Sequence, residues 1–355
     1  VFCLREQIKN TVKVIDGKLY VVLNSCPSAM VGDDVDAMVR ESQEQGERVI
    51  DGLSAGFHGD VHYGYSQILT EVFQNLPKVD KSEVKKEKNL VNLFGILPQK
   101  DLFFKGDLEE LTRILNGAGI KVNQFFGYKG GSEQLENAKN ASLNIVLSKW
   151  GQSPAQKLEE LYSIPSLSFD SLPLGFDETA DFLKAITEKL DIDPSEAQNF
   201  LHQEAERLDY YFSTIRELFY QNHLNKQIDI IADEANAIRY SKFLRKYFKT
   251  EVKTIIITDF VPNDDHPENE KKENLKEYAE KIYIAQDQSE IEKILSFSES
   301  NFILGSSLED KTASKKNIPN LVVSYPSYKN LILNKTHAGI TGAIQFAEDY
   351  IKAAL

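Results

Sequence analysis

Cysteine is almost missing: Cys3 and Cys26 are the only two in 355 residues. A disulfide framework is thereby excluded, and a reducing compartment or a metal-linked thiol is expected instead. Basic charge is also in deficit, with 41 Lys and Arg against 54 Asp and Glu for a net charge of -13. That balance argues against a sequence-independent nucleic-acid binder, whose affinity depends on neutralising phosphates. No apolar run approaches the roughly 18 residues of a bilayer-crossing helix, so no membrane segment is expected. No Gly-x-x-x-x-Gly-Lys-Ser/Thr occurs, and Gly127-Tyr128-Lys129-Gly130-Gly131-Ser132 lacks the spacing of a dinucleotide fingerprint and reads as a turn. The chain opens on Val1 with neither methionine nor a signal-peptide pattern, from which a missing upstream segment is expected.

What is present is the composition of a folded protein, 41% hydrophobic and 27% charged. Length alone predicts two or three domains at roughly 150 residues each. Short aliphatic runs alternate with amphipathic helices in three blocks, the pattern of α/β units with parallel sheets. The first block covers residues 1–80, with a strand at Leu19-Tyr20-Val21-Val22-Leu23 and a glycine-rich loop from Gly56 to Gly64 ahead of a helix carrying Ile68, Leu69, Val72 and Phe73. A lysine-rich linker from Lys78 to Asn89 separates it from the second, residues 88–180, whose first helix is expected to be capped by Asp107. Bridging helices follow over 181–225, with Pro194 in a first turn. A third block over 226–355 repeats the alternation, interrupted by a charged surface insertion from Asn263 to Lys276.

Asn24-Ser25-Cys26-Pro27-Ser28-Ala29-Met30-Val31-Gly32-Asp33-Asp34 leaves the first strand and enters a helix, placing the Cys26 thiol in a turn. Ligands collect at the carboxyl ends of strands in open α/β sheets, so chemistry is expected there. A small buried residue filling a tight corner is the alternative for a free cysteine. In the glycine-rich loop, Asp60 offers a hard oxygen or a turn residue bonding its own backbone. Gly59 and Gly64 are expected to permit a close backbone approach by lacking a Cβ. His58 and His62 would form a metal pair only if the loop were helical. His337, near the start of the last helix, would suit an anion or serve as a capping or surface group. Trp150, the single tryptophan, is expected to pack between domains.

Val1-Phe2 with its following helix, the Leu19 to Asp34 stretch, and Leu147-Ser148-Lys149-Trp150-Gly151 followed by Leu172-Pro173-Leu174-Gly175-Phe176-Asp177-Glu178-Thr179 occur in a characteristic order. Asn301 to Ser307, Tyr325-Pro326 and Thr336-His337-Ala338-Gly339-Ile340-Thr341-Gly342-Ala343 complete it. This order resembles the component-1 subunits of nitrogenase and their relatives, including dark-operative protochlorophyllide reductase and cofactor-assembly scaffolds, and is closest to their β-type subunits. Cys3 replaces a family glycine, which leaves its role open. The resemblance implies three Rossmann-like domains around a central cleft, an α-like component-1 partner in an α2β2 heterotetramer, a separate ATP-dependent iron–sulfur reductase, and a cytoplasmic setting without nucleic acid or membrane. It implies an iron–sulfur cluster, of 4Fe-4S or P-cluster type, at the subunit interface. Cys26 then matches the last of three cluster cysteines, the other two lying upstream of Val1. Asp60, beside Gly59, falls where a catalytic β subunit has a serine near that cluster. With no cysteine after Cys26, the cofactor of the catalytic α-type subunit has no thiolate here. The expected function is a β-like subunit relaying electrons to a site mainly in the α-like partner. The alternatives are a non-catalytic scaffold for iron cofactor assembly and a metal-free tetrapyrrole- or siderophore-type binding protein.

Overall fold

In the computed structural model, residues 2–32, 34–52, 55–76, 84–222, 224–259 and 275–355 are described, and every strand pairing among them is parallel. Helix α1 (Phe2–Val14) leads into β1 (Tyr20–Leu23), the short α2 (Cys26–Val31), α3 (Val35–Glu44) and β2 (Val49–Gly52). β1 and β2 pair in register from Tyr20↔Val49 to Leu23↔Gly52, so the loops leaving both strands emerge side by side. Ile8, Val35, Met38, Val39 and Val49 form the small core beneath them. Helix α4 (Val61–Gln74) does not complete that core: Leu69 and Phe73 pack with Phe94, Phe125 and Val146 of the second unit. The first unit is thus fastened to the second through the apolar side of this helix, together with ion pairs from Lys18 to Glu133 and from Arg48 to Glu136.

The second sheet has the order β4-β3-β5-β6, built from β3 (Leu90–Phe94), β4 (Lys121–Asn123), β5 (Leu143–Val146) and β6 (Ser166–Ser168). Its buried asparagines satisfy one another across strands: Asn123 Nδ2 donates to Asn92 Oδ1 and Asn92 Nδ2 to Asn144 Oδ1, both at 2.9 Å. α5 (Phe104–Gly117), α6 (Ser132–Asn137), α7 (Gln152–Tyr162) and α8 (Phe176–Leu190) belong to this unit, and the long α9 (Ser195–Asn222) carries the chain onward. The third sheet, β11-β10-β7-β8-β9, contains β7 (Gln227–Ala232), β8 (Glu251–Ile257), β9 (Lys281–Ile284), β10 (Phe302–Gly305) and β11 (Asn320–Val322). α10 (Glu234–Phe243), α11 (Gln288–Ser296), α12 (Asp310–Lys316) and α13 (Gly339–Ala354) accompany it. In both larger sheets the chain starts centrally and later crosses to the other side, between β3 and β5 and between β7 and β10. Loops leaving these switch points are where such sheets gather functional groups.

Several sequence expectations change in detail. Cys26 opens α2 rather than lying in an open turn, because Ser25 and Ser28 make a reciprocal capping box around its first residues. Helix α4 begins at Val61, so His62, Tyr63 and Gly64 are helical rather than part of the glycine-rich loop. Asp107 is an interior residue of α5, not its cap. β6 and β11, three residues each, are too short to show an alternating pattern. The insertion from Asn263 to Lys276, apart from its last two residues, and residues 78–83 of the linker from Lys78 to Asn89 fall outside the described residues. No helix among the described residues is long and apolar enough to cross a membrane.

Candidate functional site

The Cys26 thiol stands where the loops after β1 and β2 meet. Its Sγ accepts the backbone N–H of Gly56 at 3.1 Å, a bond made possible by the side-by-side emergence of the two strands. The residue is half-buried and unpaired with Cys3, which is exposed on α1. Its own helix and the adjoining segments expose several apolar residues: Met30 is 79% and Val31 80% exposed, and Leu23, Phe57 and Val61 are also exposed. Isolated exposed aliphatic residues are ordinary, but five on the segments that present one thiol indicate a surface suited to contact. The pattern supports neither a thiol enclosed by core side chains nor a complete metal site, since no group of three or more His, Cys, Asp or Glu able to hold an ion occurs among the described residues. A soft sulfur with a backbone N–H already directed at it fits one ligand of an iron–sulfur cluster, with further ligands coming from elsewhere.

Asp60 lies in the same loop but faces its own helix. One carboxylate oxygen accepts the N–H groups of His62 and Tyr63 at 2.9 and 3.1 Å, capping α4, and the other lies 2.8 Å from His62 Nδ1. Burial opposes the charged carboxylate, but the imidazole bond and the two backbone donors hold its pKa below the usual carboxylate range. To ligate iron, it would have to exchange these partners. Gly59 has a local reason: a Cβ there would lie 2.6 Å from Tyr63 Cβ and Cγ. Gly64, expected to allow a close approach, has nothing within 4 Å of where a Cβ would stand.

His58 and His62 do not form a metal pair. His58 precedes α4 and its ring lies 4.5 Å from that of Phe57, whereas His62 is 2% exposed and stacks on Trp150 with centroids 5.5 Å apart. Burial disfavours the imidazolium, yet the bond to Asp60 and the charges of Asp259 and Asp233 raise the pKa of His62 above its ordinary value.

From His62 the polar groups continue into the joint between the second and third sheets. Trp150 Nε1 donates to Asp259 Oδ2 at 2.8 Å, so the single tryptophan does bridge units. Lys149 Nζ contacts Glu234 at 3.0 Å and Asp259 at 3.1 Å; burial opposes its charge, but these two carboxylates raise its pKa to about 12. A second connection joins Asp107 of α5 to Arg239 of α10 at 3.1 Å, with both side chains almost fully buried. Asp107 also accepts the Thr336 hydroxyl at 2.7 Å and the His337 N–H at 2.8 Å, so one carboxylate holds both α10 and the segment entering α13. Sequence reasoning missed this role for Asp107. His337, expected near an anion or at the surface, is fully buried, stacked on Phe103 and bonded through Nδ1 to the Tyr240 hydroxyl at 2.9 Å. Burial and the neighbouring Arg239 lower its pKa to about 4, which disfavours anion binding by an imidazolium. The two cavities at this joint measure only about 10 and 20 Å3. Neither of these two is large enough for a tetrapyrrole or siderophore.

The family profile for nitrogenase component 1 type oxidoreductases matches residues 3–355. Among curated proteins, the chain is 24% identical to the B-subunit of light-independent protochlorophyllide reductase from Crocosphaera subtropica, over 97% of this chain and 69% of that protein. It is 23% identical to the protein of the same name from Chaetosphaeridium globosum, over 93% and 66%, and 24% identical to that from Nostoc punctiforme, over 87% and 61%. The chain therefore spans between 61% and 69% of the length of these relatives. Among solved structures, one titled "Nitrogenase Cp1 at pH 6.5" superposes with a TM-score of 0.78 at 16% identity, over 99% of this chain and 78% of the other. A second, titled "Nitrogenase Cp1 at pH 5", gives 0.75 at 18% identity, over 99% and 73%. At these identities the superpositions establish an α/β fold of Rossmann-like units.

Proposed function

The chain belongs to the nitrogenase component 1 type oxidoreductase family, and from that premise we propose that it is a β-like subunit of a nitrogenase-type reductase complex. Its Cys26 face would meet an α-like subunit and hold one side of a shared iron–sulfur cluster. The observation that carries this reading is the half-buried thiol with the Gly56 N–H directed at it, on segments that expose apolar residues. The B-subunit names of the relatives support the β-like position. Reduction of a tetrapyrrole such as protochlorophyllide is one candidate activity for the complex.

When bound, an iron–sulfur cluster supplies one-electron transfer. This chain's contribution is to position and surround. Cys26 provides the soft thiolate donor, and the Gly56 N–H stabilises negative charge on its sulfur. Leu23, Met30, Val31, Phe57 and Val61 would be covered by the partner and exclude water from the seam. The Asp60–His62 pair fixes the start of α4 and with it the loop carrying Gly56. ATP hydrolysis belongs to a separate reductase component, which would dock on the assembled complex. The stoichiometry is proposed as α2β2.

The test is anaerobic co-purification with the α-like subunit. Cys26→Ala should lose or rearrange the cluster, seen as reduced iron content and an altered electron paramagnetic spectrum. Unchanged iron and an unchanged spectrum would remove the proposal. The second reading is a non-catalytic scaffold for iron cofactor assembly. It predicts that iron leaves the purified protein on incubation with an acceptor subunit.

A further inference from the structure

The joint between the second and third sheets holds more polar chemistry than fastening requires. Asp101, in the segment between β3 and α5, accepts the Leu97 N–H at 2.7 Å and lines both joint cavities. The cavity of about 20 Å3 is also lined by Lys100, Asp233, Arg239, Ser324 and Tyr325, and the cavity of about 10 Å3 by His62, Ser148, Trp150, Asp233 and Arg239. Each has about the volume that one ordered water needs, and each is polar enough to bond it. Two nitrogens in these walls, His62 Nε2 and Arg239 Nε, are buried without a hydrogen-bond partner among the described residues. Both side chains are more than nine-tenths buried, at 2% and 4% exposure. An unmet donor or acceptor at such depth costs about 1–3 kcal/mol, so a group that would satisfy it is expected there.

We propose that the two cavities hold a short chain of ordered water, running from the surface beside Lys100 and Tyr325 past Asp101 to His62, and that Asp101 is its proton-holding group. Asp101 and Asp233 are like charges on walls of the same cavities. Enclosure by the protein and then Asp233 raise the pKa of Asp101 to about 7, against the Leu97 N–H, His62 and Arg239. The charged and titratable groups facing it are Lys100 on its own segment, Asp107 on α5, His62 and Tyr65 on α4, and Asp233 and Arg239 at and within α10. Lys149 and Asp259 lie beyond His62 and Trp150. The step is a proton transfer alone: the Asp101 carboxylate takes a proton that bulk solvent supplies through the water chain, and no electron moves. Its use, supplying or balancing charge during reduction at the Cys26 face, rests on the function proposed above. The proton site itself does not.

The test reads protonation directly, by infrared pH-difference spectroscopy of the intact protein. A protonated-carboxyl band should titrate near neutrality in the native chain and disappear in Asp101→Asn, which keeps the shape and the oxygen facing Leu97. Asp233→Asn, which removes the like charge, should move the same titration to lower pH. Cys26→Ala should leave the band intact, so loss of the cluster and loss of the proton site are read separately. No band between about pH 5 and 9, or one that survives in folded Asp101→Asn, would overturn the assignment. A high-resolution crystal structure with both cavities empty would overturn the water chain.

Discussion

Cys26 is first in a helix whose capping is supplied by Ser25 and Ser28, so its position is set by its neighbours rather than by burial of the sulfur. The Gly56 N–H can therefore be tested separately from the thiol. A Cβ at Gly56 would lie 3.5 Å from Sγ, an ordinary contact. Gly56→Ala keeps the donor and is expected to retain iron. Gly56→Pro removes the N–H and is expected to change the reduction potential or the iron retention of the complex. Equal behaviour of the two variants in redox titration and iron analysis would show that the bond has no bearing on the site. The thiol was legible because a strand, a turn and a helix lie within fifteen residues of it. What the sequence could not reveal was that Gly56, thirty positions away, directs its amide at the sulfur.

Helix α4 joins the thiol face to the rest of the molecule. Its N-terminus is fixed by Asp60, its buried side packs into the second unit, and its second residue reaches the joint with the third sheet. Replacing Asp60 with alanine removes the cap, worth about 1 kcal/mol, and leaves buried His62 without its carboxylate, worth about 1–3 kcal/mol more. A loss of about 2–4 kcal/mol in denaturant unfolding is expected from the two effects together. Asp60→Asn keeps a capping oxygen and should lose less; equal losses would show that the cap contributes nothing and that the carboxylate charge beside His62 accounts for the whole effect. The alternation of aliphatic runs and helices made the α/β class and most longer elements readable. Boundaries near Asp107 and Gly64 were not, because each residue's role depends on distant packing. Asp107 looks like a cap in sequence, yet it accepts hydrogen bonds from residues 229 and 230 positions away. Trp150 meets Asp259 across 109 positions, a separation that no local pattern encodes.

At the scale of the whole molecule, a partly buried cation, Lys149 with Glu234 and Asp259, and a fully buried one, Arg239 with Asp107, help hold the second and third sheets together. Removing one partner of a buried pair leaves the other charge uncompensated, at a cost of about 3–5 kcal/mol. Asp107→Asn is accordingly expected to lower the denaturant midpoint far more than Lys18→Ala, whose Glu133 contact is exposed. The joint also sets how stability depends on pH. His62 is raised above its ordinary pKa, so its contribution is complete below the unfolded value and is lost as pH rises through the folded one. Asp101 acts in the same direction, because a carboxyl raised from 3.8 to about 7 binds more protons folded than unfolded across that interval. Asp60 works oppositely: held low, it contributes above its unfolded pKa and loses that contribution only as acid protonates the folded form. His337, held down at about 4 against an ordinary value of 6.5, adds stability as pH rises between those two values and offsets Asp101 there. Unfolding free energy is therefore expected to decline from about pH 6.5 to pH 8, with Asp101→Asn removing its share of the decline near pH 7 and leaving the part that follows His62. Urea titrations at a series of pH values decide it, since a curve that rises over that interval, or one unchanged by the substitution, contradicts the protonation states assigned to the joint.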